Sequence, residues 1–136
     1  MDGYEVRTVG WIESPLTNLA AAPKQGDEGA PDAWVIVRPE FTAAVHGLQP
    51  NTEIVVLTWL HLARRDTLVV HPRDDPERPL TGVFATRSSD RPNPIGLHHV
   101  RVLAIEGYRV RIGGCEAVNG TPVLDIKPVL GPAPTR

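Results

Sequence analysis

Prolines and glycines interrupt this sequence so often that little room is left for long helices. The 136 residues include 14 prolines and 12 glycines. Proline removes a backbone donor and breaks a helix interior, and glycine destabilises one. One short helix of one or two turns is predicted at residues 39–46, with Pro39 at an early helical position and Gly47 ending it. The rest of the fold is therefore expected to consist of strands and turns.

The apolar residues fall into short segments, several of which alternate with polar residues. Alternation with a period of two is typical of a strand with one buried face. Turn signals separate the segments, including Glu106-Gly107 and the pair Asn119-Gly120, which favours a two-residue hairpin. The predicted strands are residues 4–11, 33–37, 52–62, 67–71, 82–86, 97–105, 108–112 and 123–126. Seven or so such strands predict an all-β barrel or sandwich, in one domain over residues 1–136.

The charge and cysteine content narrow the class of protein. Lys and Arg number 14 against 16 Asp and Glu, so the formal net charge is -2. Bulk positive charge therefore does not hold this chain on nucleic acid, although a local basic strip remains open. A single cysteine, Cys115, cannot form an intramolecular disulfide. With no apolar stretch of about 20 residues and no signal-peptide pattern, we expect a cytoplasmic protein that crosses no membrane.

Several common chemistries have no support in the motifs. The five histidines lack the spacing of zinc ligands, so no metal site is expected. Cys115 has no nearby activating signal and is interpreted as a core residue. The chain also has no Gly-rich dinucleotide fingerprint, no P-loop and none of the strand–helix alternation of a Rossmann fold.

Two segments could carry chemistry on physical grounds. The block RSSDRPNP contains Arg87 and Arg91 among prolines, and a rigid loop can aim forked guanidinium groups at a carboxylate or phosphate. An exposed turn with solvated arginines explains the same residues. Asp125 and Lys127 lie two apart on a predicted strand and share a face, where a buried pair, a paired rim and a solvated pair all remain open.

The segment GVFATRSSDRPNPIGL, residues 82–97, closely resembles a block of the TrmO (TsaA-like) family of methyltransferases. NGTPVLDIKPVL, residues 119–130, resembles a second block of that family, and Pro23-Lys24-Gln25 is similar to its PRQ loop. The opening VGWIESP is similar to the first motif of the family. The resemblance implies a small antiparallel β-barrel of about seven strands with one short helix, which forms a homodimer and uses S-adenosylmethionine. It further implies N6-methylation of threonylcarbamoyladenosine beside the tRNA anticodon.

The resemblance also assigns roles to individual residues of this chain. Asp125, Lys127 and Glu116 are the expected catalytic residues, and Arg91, Asn93 and Asn119 are expected to contact the methyl acceptor. The expected cofactor contacts are Pro23, Lys24, Gln25, His61, Leu62, Arg87, Leu97, Gly113, Gly114, Cys115 and Glu116.

Departures from the family pattern keep other functions open. Thr52, Glu53, Asn119 and Val129 replace residues common in the family, and no C-terminal extension is expected after the second block. One alternative is methylation of a small metabolite, which predicts a closed apolar pocket. Another is a cofactor-binding module without transfer activity. The tRNA hypothesis instead predicts one basic strip around the cofactor mouth, formed by Arg64, Arg65, Arg87, Arg91, Arg101, Arg109 and Arg111.

Overall fold

The computed structural model of the chain describes residues 3–18 and 29–131. The strands within this part are β1 (Gly10–Glu13), β2 (Ala33–Val37), β3 (Glu53–Trp59), β4 (Val69–Val70), β5 (Thr81–Gly82), β6 (Ile95–Glu106), β7 (Arg109–Ile112) and β8 (Pro122–Pro128). Short 3-10 helices span Pro39–Val45, Pro72–Asp74 and Val83–Ala85. The helix predicted at residues 39–46 is thus confirmed as a 3-10 helix, with Pro39 at its start.

Six strands close into an antiparallel barrel in the order β1-β2-β7-β6-β3-β8. The barrel closes because β8 pairs with β3 on one side and with β1 on the other. The two remaining strands, β4 and β5, form a separate ribbon. The prediction of an all-β fold is therefore confirmed.

Alternating side chains fill the barrel interior. On β3, Ile54, Val56 and Thr58 are buried, and on β6 the inward residues include Val100 and Val102. Aliphatic branched residues suit this position because they pack well on a pleated surface. Burying such a core supplies the main driving force for closing the barrel. Arg101, between the two buried valines of β6, faces outward as its place in the alternation predicts.

The connection from β3 to β6 is the longest excursion from the barrel, and it positions the site. It covers residues 60–94 and contains the β4–β5 ribbon and two of the 3-10 helices. Leu60 donates its backbone N–H to Pro94 O at 2.8 Å, so the two ends of the excursion meet beside the barrel wall. The excursion therefore folds back over the end of the barrel where β6 begins.

Three local predictions were wrong. Residues 4–9 form no strand, because Tyr4 and Val6 are 88% and 69% exposed and have no face to bury. Most of the predicted strand at residues 82–86 is the 3-10 helix, in which Thr86 N–H bonds Val83 O at 3.0 Å. Asn119-Gly120 forms a turn, but the segment before it is not a strand, so the turn is not a hairpin. Gly120 N–H instead bonds Ile12 O at 2.7 Å, which ties the turn to β1.

None of the helices in residues 3–18 and 29–131 has the length and apolar character needed to cross a membrane.

Candidate functional site

A cavity of about 760 Å³ lies between the residue 60–94 excursion and the end of the barrel. Its volume falls within the range of small-molecule sites. Residues from the excursion, from β6 and from the segment before β8 line it together, and they include His61, Leu62, Arg73, Arg78, Arg87, Arg91, Leu97, His98 and Glu116. A second cavity, of about 510 Å³, is lined by residues of β1, β2 and β7 and holds none of the predicted site residues.

Arg87 and Arg91 both line the main cavity, but their side chains do different things. The Arg91 guanidinium donates to the backbone carbonyls of Thr86 and Ser88, at 3.2 and 3.0 Å. Arg91 therefore braces its own loop. Arg87 is exposed, and it has no hydrogen bond or ion pair to any residue that the structure describes. Its guanidinium is therefore available to an anionic group in the cavity.

A second arginine fastens the proline-rich loop from outside the cavity. Arg65 donates from Nε to Pro92 O at 2.9 Å and from Nη2 to Asn93 Oδ1 at 3.2 Å. Its guanidinium also lies 5.0 Å from the centre of the Trp59 ring, within the range of a cation–π contact. The planar guanidinium group, with donors in fixed directions, suits this simultaneous grip. The loop that carries Arg87 is thereby attached to β3.

The neighbouring Arg64 and Asp66 form an exposed ion pair at 3.3 Å. The side-chain hydrogen bond from Arg64 is the main cause that lowers the pKa of the Asp66 carboxyl, and the positive charge of Arg64 lowers it further. The same bond to Asp66 raises the pKa of the Arg64 guanidinium. Because both side chains are largely exposed, water and salt screen the pair, and it contributes little to stability. The backbone N–H of Arg64 adds a firmer contact, a 2.8 Å bond to Asp90 Oδ1.

Three hydrogen-bonded polar side chains run from the barrel interior to the cavity, where His98 and Glu116 form part of the wall. His98 Nε2 lies 2.7 Å from Thr58 Oγ1, and His98 Nδ1 is hydrogen-bonded to Glu116 Oε1. Thr58 and His98 are 0% and 4% exposed, and the Glu116 side chain is 17% exposed. The carboxylate of Glu116 thus lies between a buried imidazole and the cavity.

The potential ligand atoms of His98, Cys115 and Glu116 lie within 4.8 Å of one another, which is close enough for the three to bind one metal ion. Metal binding would require a thiolate and would compete with the hydrogen bond between His98 and Glu116. Burial of the side chain raises the pKa of the Cys115 thiol to about 12, so the thiolate is strongly disfavoured. Cys115 packs in the aliphatic core at 0% exposure, as the sequence predicted. These residues therefore fit a hydrogen-bonded chain better than a metal centre.

The structure brings part of the predicted site together. The predicted residues that line the cavity are His61, Leu62, Arg87, Arg91, Leu97 and Glu116. They come from positions 61 to 116, and the fold collects them at one end of the barrel. Pro23, Lys24 and Gln25 lie outside the described residues.

The remaining predicted residues lie elsewhere. Asp125 and Lys127 form an exposed pair at 3.4 Å on the outer face of β8, which corresponds to the solvated alternative. Asn119 Oδ1 accepts a hydrogen bond from Ser14 N–H at 3.0 Å, and Asn93 Oδ1 accepts one from Arg65, so both amides hold loops. Gly113, Gly114 and Cys115 are next to Glu116 in sequence but do not line the cavity.

The expected single basic strip does not form. Of its seven arginines, only Arg87 and Arg91 line the cavity. Arg109 and Arg111 lie on β7, where they flank the Trp34 ring and pair with acidic side chains at 3.2 and 3.7 Å. The cavity has different basic neighbours, Arg73 and Arg78.

Sequence reasoning missed Arg73, Arg78, Thr58 and His98 at this site. The first two lie in a charged, proline-rich connection that reads as an ordinary exposed loop. The adjacent pair His98-His99 gave the only usable signal, since strand alternation places one of two neighbouring rings inside. Only the fold shows that the inner ring belongs to His98 and meets Thr58 and Glu116.

Comparison with known proteins identifies a family. The model of the tRNA-methyltransferase O N-terminal domain family matches residues 11–133. A probable S-adenosyl-L-methionine-binding protein of Methanothermobacter thermautotrophicus is 43% identical over 123 residues, which cover 90% of this chain and 88% of that protein. A protein of Archaeoglobus fulgidus with the same description is 43% identical over 125 residues, or 91% of this chain, but this chain spans only 33% of its length.

A comparison with solved structures points to the same family. The crystal structure of TrmO from Pseudomonas aeruginosa superposes with a TM-score of 0.75 at 31% identity. The superposition covers 100% of this chain and 61% of the TrmO chain. This chain therefore corresponds to somewhat less than two thirds of the length of that enzyme.

Proposed function

This chain belongs to the tRNA-methyltransferase O N-terminal domain family, and from that premise we propose that it binds S-adenosylmethionine in the main cavity and transfers its methyl group to tRNA. One observation carries the proposal. Arg87 and Leu97 of the family block and Glu116, which lies 19 residues beyond that block's last residue, line the same cavity. Relatives described as S-adenosyl-L-methionine-binding proteins supply the identity of the cofactor.

The residues of the cavity fit the chemistry of this cofactor. The guanidinium of Arg87, which has no partner among the residues that the structure describes, suits the cofactor's carboxylate. The carboxylate of Glu116 suits a cationic group, either the sulfonium or the α-ammonium. Leu62 and Leu97, which are 54% and 47% exposed, offer apolar surface to the adenine ring.

When bound, S-adenosylmethionine supplies an electrophilic methyl group on a sulfonium. The residues of this chain contribute position and exclusion of water more than covalent chemistry. Arg91 and Arg65 hydrogen-bond to the loop that carries Arg87, which restrains that loop at the edge of the cavity. Glu116 keeps negative charge at the inner wall, where it favours a cation over a neutral ligand.

We propose tRNA adenosine as the methyl acceptor, at the N6 position of threonylcarbamoyladenosine beside the anticodon. The family description supports this choice, and the arginines at the cavity place positive charge at its rim. The seven-arginine strip that the tRNA hypothesis predicts does not form, so the choice rests on the family description. A small-metabolite acceptor predicts a closed apolar pocket, and the charged rim does not fit that expectation. The protein would then act in the cytoplasm with its tRNA substrate.

A homodimer is part of this proposal. Ile95 and Phe84 are 48% and 85% exposed, on β6 and on the excursion that borders the cavity. Exposed apolar groups of this size gain free energy when a second surface covers them. Sedimentation equilibrium measures the mass in solution, and a monomer at all concentrations would contradict this part of the proposal.

The test of the cofactor site is calorimetric titration of S-adenosylmethionine into the wild type and Arg87→Ala. Loss of a charged hydrogen bond weakens binding by about 10-fold or more. Arg101→Ala is the matched control, since Arg101 is an exposed arginine whose Nη1 bonds Asn51 O, away from the cavity. Equal affinities in all three proteins would overturn the assignment of the site.

A second experiment tests transfer. Total tRNA from a strain that lacks the modification is incubated with the protein and S-adenosylmethionine, and nucleosides are identified by mass spectrometry. A mass gain of one methyl group on threonylcarbamoyladenosine supports the proposed acceptor. The relatives from Methanothermobacter and Archaeoglobus are described as probable S-adenosyl-L-methionine-binding proteins, which favours a binding module as the second candidate. Tight binding without transfer to any RNA would select that candidate.

A further inference from the structure

His98 is a polar residue on the inner face of β6, where its inward neighbours include Val100 and Val102. It is 4% exposed. Burying an imidazole without hydrogen bonds costs free energy, so a histidine at such a position needs partners for both ring nitrogens. An aliphatic residue would fill the same place without that requirement. The function proposed above gives no role to this ring.

Both ring nitrogens have a hydrogen-bond partner, and together the partners fix the orientation of the ring. An ionised Glu116 carboxylate only accepts, so Nδ1 carries the proton that it donates to Glu116 Oε1. Nε2 and the Thr58 hydroxyl form the second hydrogen bond, at 2.7 Å, so the three side chains are linked from Thr58 through His98 to Glu116.

The barrel wall makes room for this chain of side chains. Gly96 is paired directly opposite Thr58 across β3 and β6. A Cβ on Gly96 would lie 2.8 Å from His98 Nε2 and 3.0 Å from Leu60 Cδ2, and closer still to Thr58 Oγ1. The missing side chain at position 96 is therefore what lets Thr58 and His98 reach each other.

Glu116, at the outer end of the three hydrogen-bonded side chains, faces the cavity. Glu116 lines the cavity, and its second oxygen, Oε2, accepts no hydrogen bond from residues 3–18 or 29–131. Because Oε1 is tied to a ring that is itself tied to the barrel, the carboxylate has little rotational freedom left. Preorganisation of this kind raises affinity by lowering the entropy lost on binding.

We propose that His98 is a positioning residue, which with Thr58 behind it fixes Glu116 so that one carboxylate oxygen faces a cationic or hydrogen-donating group of the ligand. The proposal rests on the proposed function for the identity of that ligand, S-adenosylmethionine. The role of His98 itself rests on its burial and its two hydrogen bonds. The alternative is a histidine that only fills and stabilises the barrel.

Two substitutions of His98 separate positioning from stability. In His98→Asn the amide nitrogen can occupy the place of Nδ1 and keep the bond to Glu116, while in His98→Gln it occupies the place of Nε2 and loses that bond. Each variant disturbs one half of a buried chain, so both are expected to lower the melting temperature. Calorimetry with S-adenosylmethionine should show a loss of about 10-fold for His98→Gln and less than about threefold for His98→Asn. Equal losses in the two variants would overturn the proposal.

A measurement on the free wild-type protein tests the geometry without any ligand. Nitrogen-edited NMR of the histidine rings should show the His98 Nδ1 proton protected and shifted downfield by the carboxylate. In Glu116→Gln the signal should move upfield or exchange away, whereas in Glu53→Gln, which removes the exposed partner of His99, it should not move. No protected Nδ1 proton in the wild type would overturn the role of His98.

The two proposals fail in distinguishable ways. A wild type that binds no S-adenosylmethionine, yet shows the Nδ1 proton, overturns the proposed function and supports the positioning of Glu116. Binding by the wild type together with equal losses in both His98 variants overturns the positioning role alone.

Discussion

Adding one methyl group at Gly96 should disrupt the inner wall of the cavity. In Gly96→Ala the new Cβ would lie closer than van der Waals contact to three side chains, including His98 Nε2 at 2.8 Å and Leu60 Cδ2 at 3.0 Å. The hydroxyl of Thr58 must move away, and its bond to His98 is lost or lengthened. The backbone around Gly96 is a regular strand paired on β3, so the side chains have to yield.

The magnitude follows from two costs. Overpacking a well-packed site costs about 1–3 kcal/mol. Leaving a buried polar group without its partner costs about 1–3 kcal/mol more. The free energy of unfolding should therefore fall by about 2–6 kcal/mol, and the melting temperature by about 10 °C for a chain of this size.

Denaturant unfolding followed by circular dichroism measures this change. Gly82→Ala is the matched control, because a Cβ there meets nothing within 4 Å and φ is −60°. The control should be neutral or about 0.4–1 kcal/mol more stable than the wild type. In the Thr58→Ala background, Gly96→Ala should cost less, since the nearest atom has been removed. A loss below about 0.5 kcal/mol, or full additivity with Thr58→Ala, would refute this account of Gly96.

Three further predictions concern other residues. Burial raises the pKa of the Cys115 thiol to about 12, so thiol reagents at pH 8 should label the unfolded chain and spare the native one. The pKa in the folded protein lies above the unfolded value of 9.0. The stabilisation from this thiol is therefore present below pH 9 and is lost as pH rises from 9 towards 12. Asp125→Asn and Lys127→Met should leave the affinity for S-adenosylmethionine, measured by calorimetry, unchanged, because both side chains are exposed and lie outside the cavity. An affinity about 10-fold lower would show that these residues contribute to the binding site. Arg65→Met should loosen the proline-rich loop and speed its amide hydrogen exchange, because it removes the two hydrogen bonds and the contact with Trp59; unchanged exchange would show that this arginine does not fasten the loop.

The strands were predictable where their pattern was local. Residues 33–37 and 97–105 correspond to β2 and β6 within a few residues, because an apolar run or an alternating pattern bounded by turns has one favourable structure. The prediction failed at residues 4–9 because a strand pattern also needs a partner surface, and Tyr4 has none. The turn at Asn119-Gly120 formed, but its hydrogen bond goes to Ile12, which lies over 100 residues away.

The site was predictable in part for a similar reason. The family block placed Arg87 and Leu97 near each other, and the fold puts both at the cavity. The same block suggested Arg91 and Asn93 as substrate contacts, but their hydrogen bonds go to the loop itself and to Arg65. The sequence shows that a guanidinium or an amide is present, but it does not show which group the side chain hydrogen-bonds to in the folded protein.

The sequence by itself determined an all-β chain, the short helix that begins at Pro39 and a proline-rich arginine loop, since helix breakers and period-two alternation act between near neighbours. Only the tertiary structure decided what the inward histidine of β6 does. Thr58 lies 40 residues before His98 and Glu116 lies 18 residues after it. The register of β3 on β6 places Thr58 opposite Gly96, and that glycine leaves the space in which the three side chains meet. Partners of a buried polar group come from strand register and barrel closure, and these depend on non-local contacts that no short segment encodes.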